Sequence, residues 1–150
     1  ANHQSNYDFL GMAIGTKRPI HFMVKKELFK NIIKPLLYSI KAIPVDRKKK
    51  NPEAMSQATK YLKQKKLVGI FPEGTFNKTL EPLAPFKMGT IKLAYENNVP
   101  IIPILIKNQD QKRKLWIHIS QPFYVATAEL EKENEKLRQI MIEIKGEKWK

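Results

Sequence analysis

The chain has 150 residues, 42% of them hydrophobic, and this length and composition predict one folded domain with a buried core. Its formal net charge of +14 favours an anionic partner, a class that includes nucleic acid, anionic lipid and phosphorylated substrates. The absence of cysteine excludes disulfides, thiol catalysis and cysteine metal sites. The longest hydrophobic run, residues 99–106, is far shorter than the roughly 20 residues that a membrane-spanning helix needs.

The first half of the chain alternates between helical and strand patterns. In chain order, the elements are predicted to be helix 6–14, strand 19–24, helix 27–40, strand 42–46 and helix 52–65. Ser5 and Asp8 have the spacing of a capping box, which predicts the start of the first helix. Pro35 lies inside the second helix, so we expect that helix to be kinked or divided there. Asn51 precedes the third helix as its predicted cap.

The second half continues the same alternation. Its elements are predicted to be strand 67–71, a loop over 72–87, helix 88–96, strands 100–106 and 114–120, and helix 127–144. Asn97 and Asn98 form a C-terminal signal for the helix that precedes them. The whole order predicts one α/β domain over residues 1–150, with a central, mostly parallel mixed sheet flanked by helices.

A histidine and an aspartate near the start, His3 and Asp8, form the first candidate catalytic pair. On one continuous helix the two residues would lie about 140° apart and could not meet. If His3 lies before the helix and Asp8 in its first turn, the carboxylate can bind one imidazole nitrogen and leave the other free as a base. The alternative interpretation is a surface histidine beside an N-terminal capping pair.

Two further segments with candidate binding residues follow predicted strands. Arg47 begins a run of four cations, 47–50, and its planar guanidinium suits a phosphate, whereas the lysines of the run are typical of a solvated surface. Glu73 is a candidate for binding substrate hydroxyls. Gly74, which precedes Thr75, allows a substrate close to the main chain. The alternative for this second segment is a plain turn.

Four segments, taken in order, resemble the motifs of the 1-acylglycerol-3-phosphate acyltransferase family. They are residues 3–8, 43–47, 71–75 and the proline-containing strand 99–104, and the likeness covers about residues 1–106. The resemblance implies transfer of a fatty acyl group from acyl-CoA or acyl carrier protein to lysophosphatidic acid. The product would be phosphatidic acid, for phospholipid biosynthesis, and no metal or organic cofactor is implied.

The resemblance also implies roles for individual residues. His3 would remove the proton of the acceptor hydroxyl, and Asp8 would hold the imidazole tautomer. Lys25 and Arg47 would bind the phosphate of the acceptor. Backbone amides near the third motif are candidates for stabilising the oxyanion. The acceptor site would be lined by Glu73, Gly74 and Thr75.

Two positions depart from the family pattern. The third motif usually ends in arginine, but Phe76 stands there, which removes an expected phosphate contact. Lys78 or Lys87 would have to substitute for it. The second motif is usually preceded by glycine, but Lys41 occupies that place. Its side chain argues against tight packing of the backbone at this position.

The implied lysolipid lies in a membrane, so we expect the chain to act at the cytoplasmic face of the cell membrane. Phe29, Ile33 and Leu37 recur at fourfold spacing beside lysines, a pattern typical of an interfacial helix on anionic lipid, with a buried core helix as the alternative. Because the sequence opens without methionine, we also expect an upstream segment, so that the chain is either peripheral to the membrane or anchored by that segment.

Two other functions are compatible with parts of the sequence. A nucleic-acid-binding module would suit the charge, but the sequence has no zinc-ligand spacing, no aromatic RNA-binding motif and no clear helix-turn-helix, so we expect no nucleic-acid partner. The second rival is a related acyltransferase that uses glycerol-3-phosphate, a lysophospholipid or a lipid A precursor as the acceptor.

Overall fold

The computed structural model describes residues 1–3, 8–14, 16–30, 32–46, 50–77, 80–109 and 114–148. The chain divides into two compact units. The discontinuous unit comprises Ala1–Met12 together with Phe71–Lys150, and the inserted unit comprises Ala13–Ile70. None of the helices in the described part is both long and apolar enough to cross a membrane.

Helices and strands alternate along the described residues. The α-helices are α1 (Asp8–Ile14), α2 (Lys34–Ser39), α3 (Pro52–Lys63), α4 (Gly89–Asn97) and α5 (Leu130–Lys148). The strands are β1 (Ile20–Lys25), β2 (Ile43–Val45), β3 (Leu67–Gly69), β4 (Ile104–Gln109) and β5 (Lys114–Ile119). A 3₁₀ helix covers Lys26–Lys30. The mixed α/β class predicted from the sequence is therefore confirmed.

The inserted unit is built on a parallel sheet with the strand order β2-β1-β3. In the central strand, Met23 lies opposite Ile43, and Phe22 lies opposite Gly69. α3 packs against β2 and β3, and its Ala58 is fully buried. An alanine at this position lets the helix backbone lie close to the strands.

The discontinuous unit contains an antiparallel pair, β4 and β5, and the packed helices α4 and α5. Leu137 and Met141 are four residues apart on α5, so both point from one face of the helix into the core. The buried cluster of this unit consists of Leu83, Phe86, Ile91, Leu105, Phe123, Leu137 and Met141. α5 is thus a part of the core rather than an appendage.

The helix predicted over 27–40 is divided, but ahead of Pro35 rather than at it. The 3₁₀ helix ends at Lys30, and Pro35 lies in the first turn of α2. A missing N–H costs little there, because the first-turn amides have no partner within the helix.

The apolar stripe predicted within residues 27–40 consists of Phe29, Ile33 and Leu37, and these side chains are not all exposed. Leu37 is fully buried, whereas Phe29 and Ile33 are half-buried. The exposed apolar side chains among the described residues of this segment are instead Ile32, Leu36 and Tyr38. Leu37 is therefore a core residue, and the accessible apolar side chains are not those of the predicted stripe.

Asn51 stands at the predicted start of α3 without making a side-chain cap hydrogen bond. Its Nδ2 donates to the carbonyl of Asp46 at 2.6 Å, and its Oδ1 accepts from the Asp46 N–H at 2.7 Å. The Asn51 side chain thus hydrogen-bonds both backbone groups of Asp46, the residue that follows β2. At the end of α4, Asn98 adopts the left-handed conformation with φ of 49°, as the C-terminal signal predicted.

The strand predicted over 100–106 begins later, at Ile104. Pro100 and Pro103 have no N–H to donate, which limits pairing before that point. Ile101, between them, makes only an isolated antiparallel bridge to Phe123.

Candidate active site

His3 precedes α1 and Asp8 opens it, which is the arrangement that their contact requires. His3 Nδ1 lies 3.0 Å from Asp8 Oδ2, and Asp8 is 1% exposed. An ionised carboxylate only accepts hydrogen bonds, so it selects the tautomer with the proton on Nδ1. That tautomer leaves the Nε2 lone pair available to a substrate.

Asn2 attaches the His3 segment to β4. Its Nδ2 donates to the Ile106 carbonyl at 3.0 Å, and its Oδ1 accepts from the Ile106 N–H at 2.7 Å. The buried amide therefore pairs with the strand much as a neighbouring backbone would. Sequence reasoning missed this residue because its partner lies 104 positions away.

Two phenylalanine rings contact the His3 imidazole. The Phe71 ring stacks on it with 4.4 Å between centroids and an interplanar angle of 25°. The Phe76 ring lies at the same distance with a tilt of 41°. Phe76, which replaces an arginine of the family pattern, thus contributes a ring contact to the histidine.

Glu73 is buried, at 3% exposure, and accepts hydrogen bonds from two distant backbone groups. Its Oε1 accepts from the His3 N–H at 2.9 Å, and its Oε2 accepts from the Ala84 N–H at 2.8 Å. The carboxylate therefore ties the backbone at His3 to the loop that carries Ala84.

Gly74 has φ of 69°, a conformation that side chains with a Cβ rarely adopt. Its N–H donates to the Phe71 carbonyl at 3.0 Å, which closes the turn. The Lys87 side chain lies over Gly74, so that an added Cβ would meet Lys87 Cε at 2.7 Å. Thr75, the next residue, is exposed. A cation therefore lies beside the turn, at a position suggested from sequence as a substitute for the arginine.

The two cations predicted to bind phosphate, Lys25 and Arg47, belong to the inserted unit. Lys25 ends β1 in the inserted unit, and its Nζ lies 3.8 Å from Glu27 Oε1 with the side chain 44% exposed. Arg47 lies outside the described residues, as does Lys78. Their roles stay predictions.

Lys145 of α5 adds positive charge to the surroundings of Glu73. Burial lowers the pKa of its ammonium group, and the Glu73 carboxylate opposes this by raising the pKa. Its Nζ also donates to the Pro82 carbonyl. The site therefore joins an oriented imidazole to a buried carboxylate with a nearby cation, a set of groups suited to general-base chemistry on an anionic substrate.

Several curated proteins have similar sequences. A 1-acyl-sn-glycerol-3-phosphate acyltransferase of Bacillus subtilis is 33% identical over 83% of this chain and 65% of its own length. The enzyme of that name from Salmonella typhimurium is 31% identical over 77% of this chain and 48% of its own. The alpha form from Mus musculus is 35% identical over 72% and 39%. This chain therefore spans only part of the length of these relatives.

One solved structure has a similar fold. It is the 1-acyl-sn-glycerophosphate acyltransferase PlsC from Thermotoga maritima, with a TM-score of 0.71 and 22% identity. The match covers 99% of this chain and 66% of that one. At this identity, the likeness shows a shared fold.

A family model described as Acyltransferase matches residues 1–107. The match includes His3, Asp8 and Glu73, which the structure brings together, and ends within β4. Since it covers well over half of the sequence, this chain belongs to the Acyltransferase family.

Proposed function

We propose that this chain is the catalytic part of a 1-acylglycerol-3-phosphate acyltransferase, which converts lysophosphatidic acid to phosphatidic acid in phospholipid biosynthesis. The observation that carries the proposal is the buried Asp8 carboxylate on Nδ1 of His3, in a chain of the Acyltransferase family. The names of the relatives support this acceptor. The donor is an acyl thioester, either acyl-CoA or acyl carrier protein.

In the proposed reaction, His3 Nε2 removes the proton of the acceptor hydroxyl while its oxygen attacks the thioester carbonyl. Asp8 stabilises the imidazolium that forms. When the tetrahedral intermediate collapses, the C–S bond breaks and the leaving thiolate takes the proton from the imidazolium. No protein nucleophile is needed, because the substrate supplies the oxygen. A positioned base contributes about 10² to 10⁴ in rate.

The acceptor is held by cations and by the turn of the third motif in this proposal. Lys25 and Arg47 bind its phosphate, as the family resemblance implies. Lys87 is a further candidate, because its side chain lies over the turn. The acceptor site is lined by Glu73, Gly74 and Thr75.

A related transfer to glycerol-3-phosphate or to a lysophospholipid is the second candidate. Phe76 favours only the lysophospholipid, whose phosphodiester carries less charge than a phosphate monoester, since a ring stands where the family pattern has a phosphate-binding arginine. The identity of the preferred acceptor therefore depends on whether Lys87 replaces that arginine.

We also propose that the inserted unit contacts an anionic membrane, at the cytoplasmic face. Three apolar side chains of the α2 region are accessible: Ile32 is 96% exposed, Leu36 38% and Tyr38 61%. Lys30 and Lys34 are exposed beside them. Apolar side chains among lysines suit the boundary between acyl chains and anionic headgroups.

The test is acyl transfer to lysophosphatidic acid by the full-length protein, with wild type compared to His3→Ala and Asp8→Asn. Loss of the base is expected to lower kcat about a hundredfold or more. Asp8→Asn is expected to lower kcat with little change in KM, because the amide no longer selects the Nδ1–H tautomer. His118→Gln, a half-buried histidine of β5, is the matched control and should retain activity.

Parallel assays with glycerol-3-phosphate and lysophosphatidylcholine identify the acceptor. Transfer to either one in preference to lysophosphatidic acid would select the second candidate. Equal activity in wild type and in a folded His3→Ala variant would refute the general-base proposal.

A further inference from the structure

The loop of residues 82–86 is attached to one helix through its backbone carbonyls. Asn134 Nδ2 donates to the Phe86 carbonyl at 2.9 Å, and Arg138 Nη2 donates to the Leu83 carbonyl at 2.8 Å. Both donors lie on α5 and are four residues apart, so they share a face of the helix. The loop is thus bound to side chains far along the sequence instead of to a neighbouring strand.

Arg138 makes the central contacts of this attachment. Besides Leu83, it donates through Nε to the Ala84 carbonyl at 3.3 Å. Its guanidinium forms ion pairs with Glu81 and Glu135. The distance from Nη1 to Glu135 Oε1 is 2.9 Å. The side chain is only 11% exposed. A buried guanidinium that donates to backbone carbonyls and two carboxylates has its orientation fixed by several partners at once.

The peptide of Ala84 connects this attachment to the active site. Its carbonyl accepts from Arg138, and its N–H donates to Glu73 Oε2 at 2.8 Å. The other oxygen of Glu73 accepts from the His3 N–H at 2.9 Å. A continuous series of hydrogen bonds therefore runs from α5 through the loop to the backbone of the histidine.

We propose that Arg138 is a positioning residue for His3, and that it acts through loop 82–86 and Glu73. The proposal rests on the proposed function in that it assigns His3 as the base. Arg138 lies outside the residues that the family model matches, 1–107. The C-terminal helix is accordingly a part of the catalytic apparatus of this protein, and not only a part of its core.

Kinetics of Arg138→Met and Arg138→Lys in the full-length protein provide the first test. Arg138→Met should lower kcat at least tenfold with KM for both substrates within about twofold, since a misplaced base affects the chemical step. Arg138→Lys should retain more activity, because an ammonium can still bind one of the carbonyls. Lys132→Met, which removes an exposed cation of the same helix, is the matched control.

A double-mutant cycle separates positioning from general stabilisation of the fold. If Arg138 acts through Glu73, Glu73→Gln combined with Arg138→Met should lose no more than about twofold beyond Glu73→Gln alone. Independent, multiplicative losses would overturn the proposal. If Arg138→Met does not fold, the same cycle with Arg138→Lys decides.

Amide hydrogen exchange without substrate tests the linkage independently of the reaction. Arg138→Met should accelerate exchange at Ala84 and His3 by about tenfold or more, whereas Lys132→Met should not. Unchanged exchange at both amides would refute the linkage even if acyl transfer fell. If wild type showed no acyl transfer, the proposed function would fail, and the exchange result would still decide whether Arg138 positions His3.

Discussion

The imidazole of His3 is fixed by contacts of three kinds. Asp8 binds Nδ1, Glu73 binds the backbone N–H, and the rings of Phe71 and Phe76 contact the imidazole itself. The carboxylate sets the tautomer, the backbone bond sets the position, and the rings restrict rotation of the side chain. A base held in this way needs little rearrangement when the substrate binds, which is how positioning lowers a barrier.

Phe76→Leu tests the ring contact. Aromatic pairs contribute about 0.5 to 1.5 kcal/mol beyond their buried area. We therefore expect kcat to fall by roughly two- to tenfold with KM for lysophosphatidic acid unchanged. Phe76→Tyr, which keeps the ring, should retain the wild-type kcat.

Phe76→Arg distinguishes this role from acceptor binding. Arginine should cost kcat as leucine does, because a cation beside His3 disfavours the imidazolium that forms during the reaction. A lower KM with an unchanged kcat in Phe76→Arg would contradict the positioning role and would identify the site as a phosphate contact.

At the level of elements, side chains of β1 lie against Gly69 of β3, because glycine has no side chain to occupy that space. A Cβ there would lie 2.4 Å from Cδ1 of Phe22 and 2.8 Å from Cγ2 of Ile20. Phe22 is 1% exposed, so its ring has no free space into which it can move. The packing of this pair of strands therefore depends on one glycine.

Gly69→Ala is expected to destabilise the protein by about 1 to 3 kcal/mol, the usual cost of overpacking a core. Gly146→Ala is the matched control, since nothing lies within 4 Å of an added Cβ at that position of α5. It should stabilise by about 0.5 to 1 kcal/mol, because alanine is the better helix former. Thermal unfolding of both variants measures the two effects, and equal melting temperatures would contradict the packing argument.

At the level of the whole molecule, the net charge of +14 produces a field that attracts anionic surfaces. Charge alone binds loosely and is screened by salt, with a Debye length of about 10 Å at 0.1 M. The exposed apolar side chains near α2 add an attraction that salt does not screen. Both features support the proposed contact with an anionic membrane.

Co-sedimentation with vesicles tests this surface. Binding should increase with the fraction of phosphatidylglycerol in phosphatidylcholine and fall as salt is raised from about 0.05 M to 0.5 M. Ile32→Glu should weaken binding. The control is Leu80→Glu, which changes an equally exposed leucine next to Glu81 and should not weaken binding. Binding that is indifferent to anionic lipid would refute the proposed membrane contact.

Features that depend on near neighbours could be predicted from the sequence. The alternation of elements, the end of α4 at Asn98 and a helix that begins shortly after His3 all follow from patterns within a few residues. The contact of His3 with Asp8 stays conditional at that level, because it depends on where the helix begins. Helical spacing, strand alternation and capping each depend on residues only a few positions apart, so a single sequence displays them.

The surroundings of His3, by contrast, depend on contacts between segments that are distant in the sequence. Glu73 lies 70 residues from His3, and Arg138 lies 54 from Ala84. Neither pair leaves a periodic signal. At Phe76 the sequence indicates a lost cation, whereas the structure has a ring in contact with the imidazole. The division ahead of Pro35 and the side-chain partner of Asn51 likewise depend on how the chain turns. Contacts between distant segments form only when the core brings them together, and for that reason local pattern does not encode them.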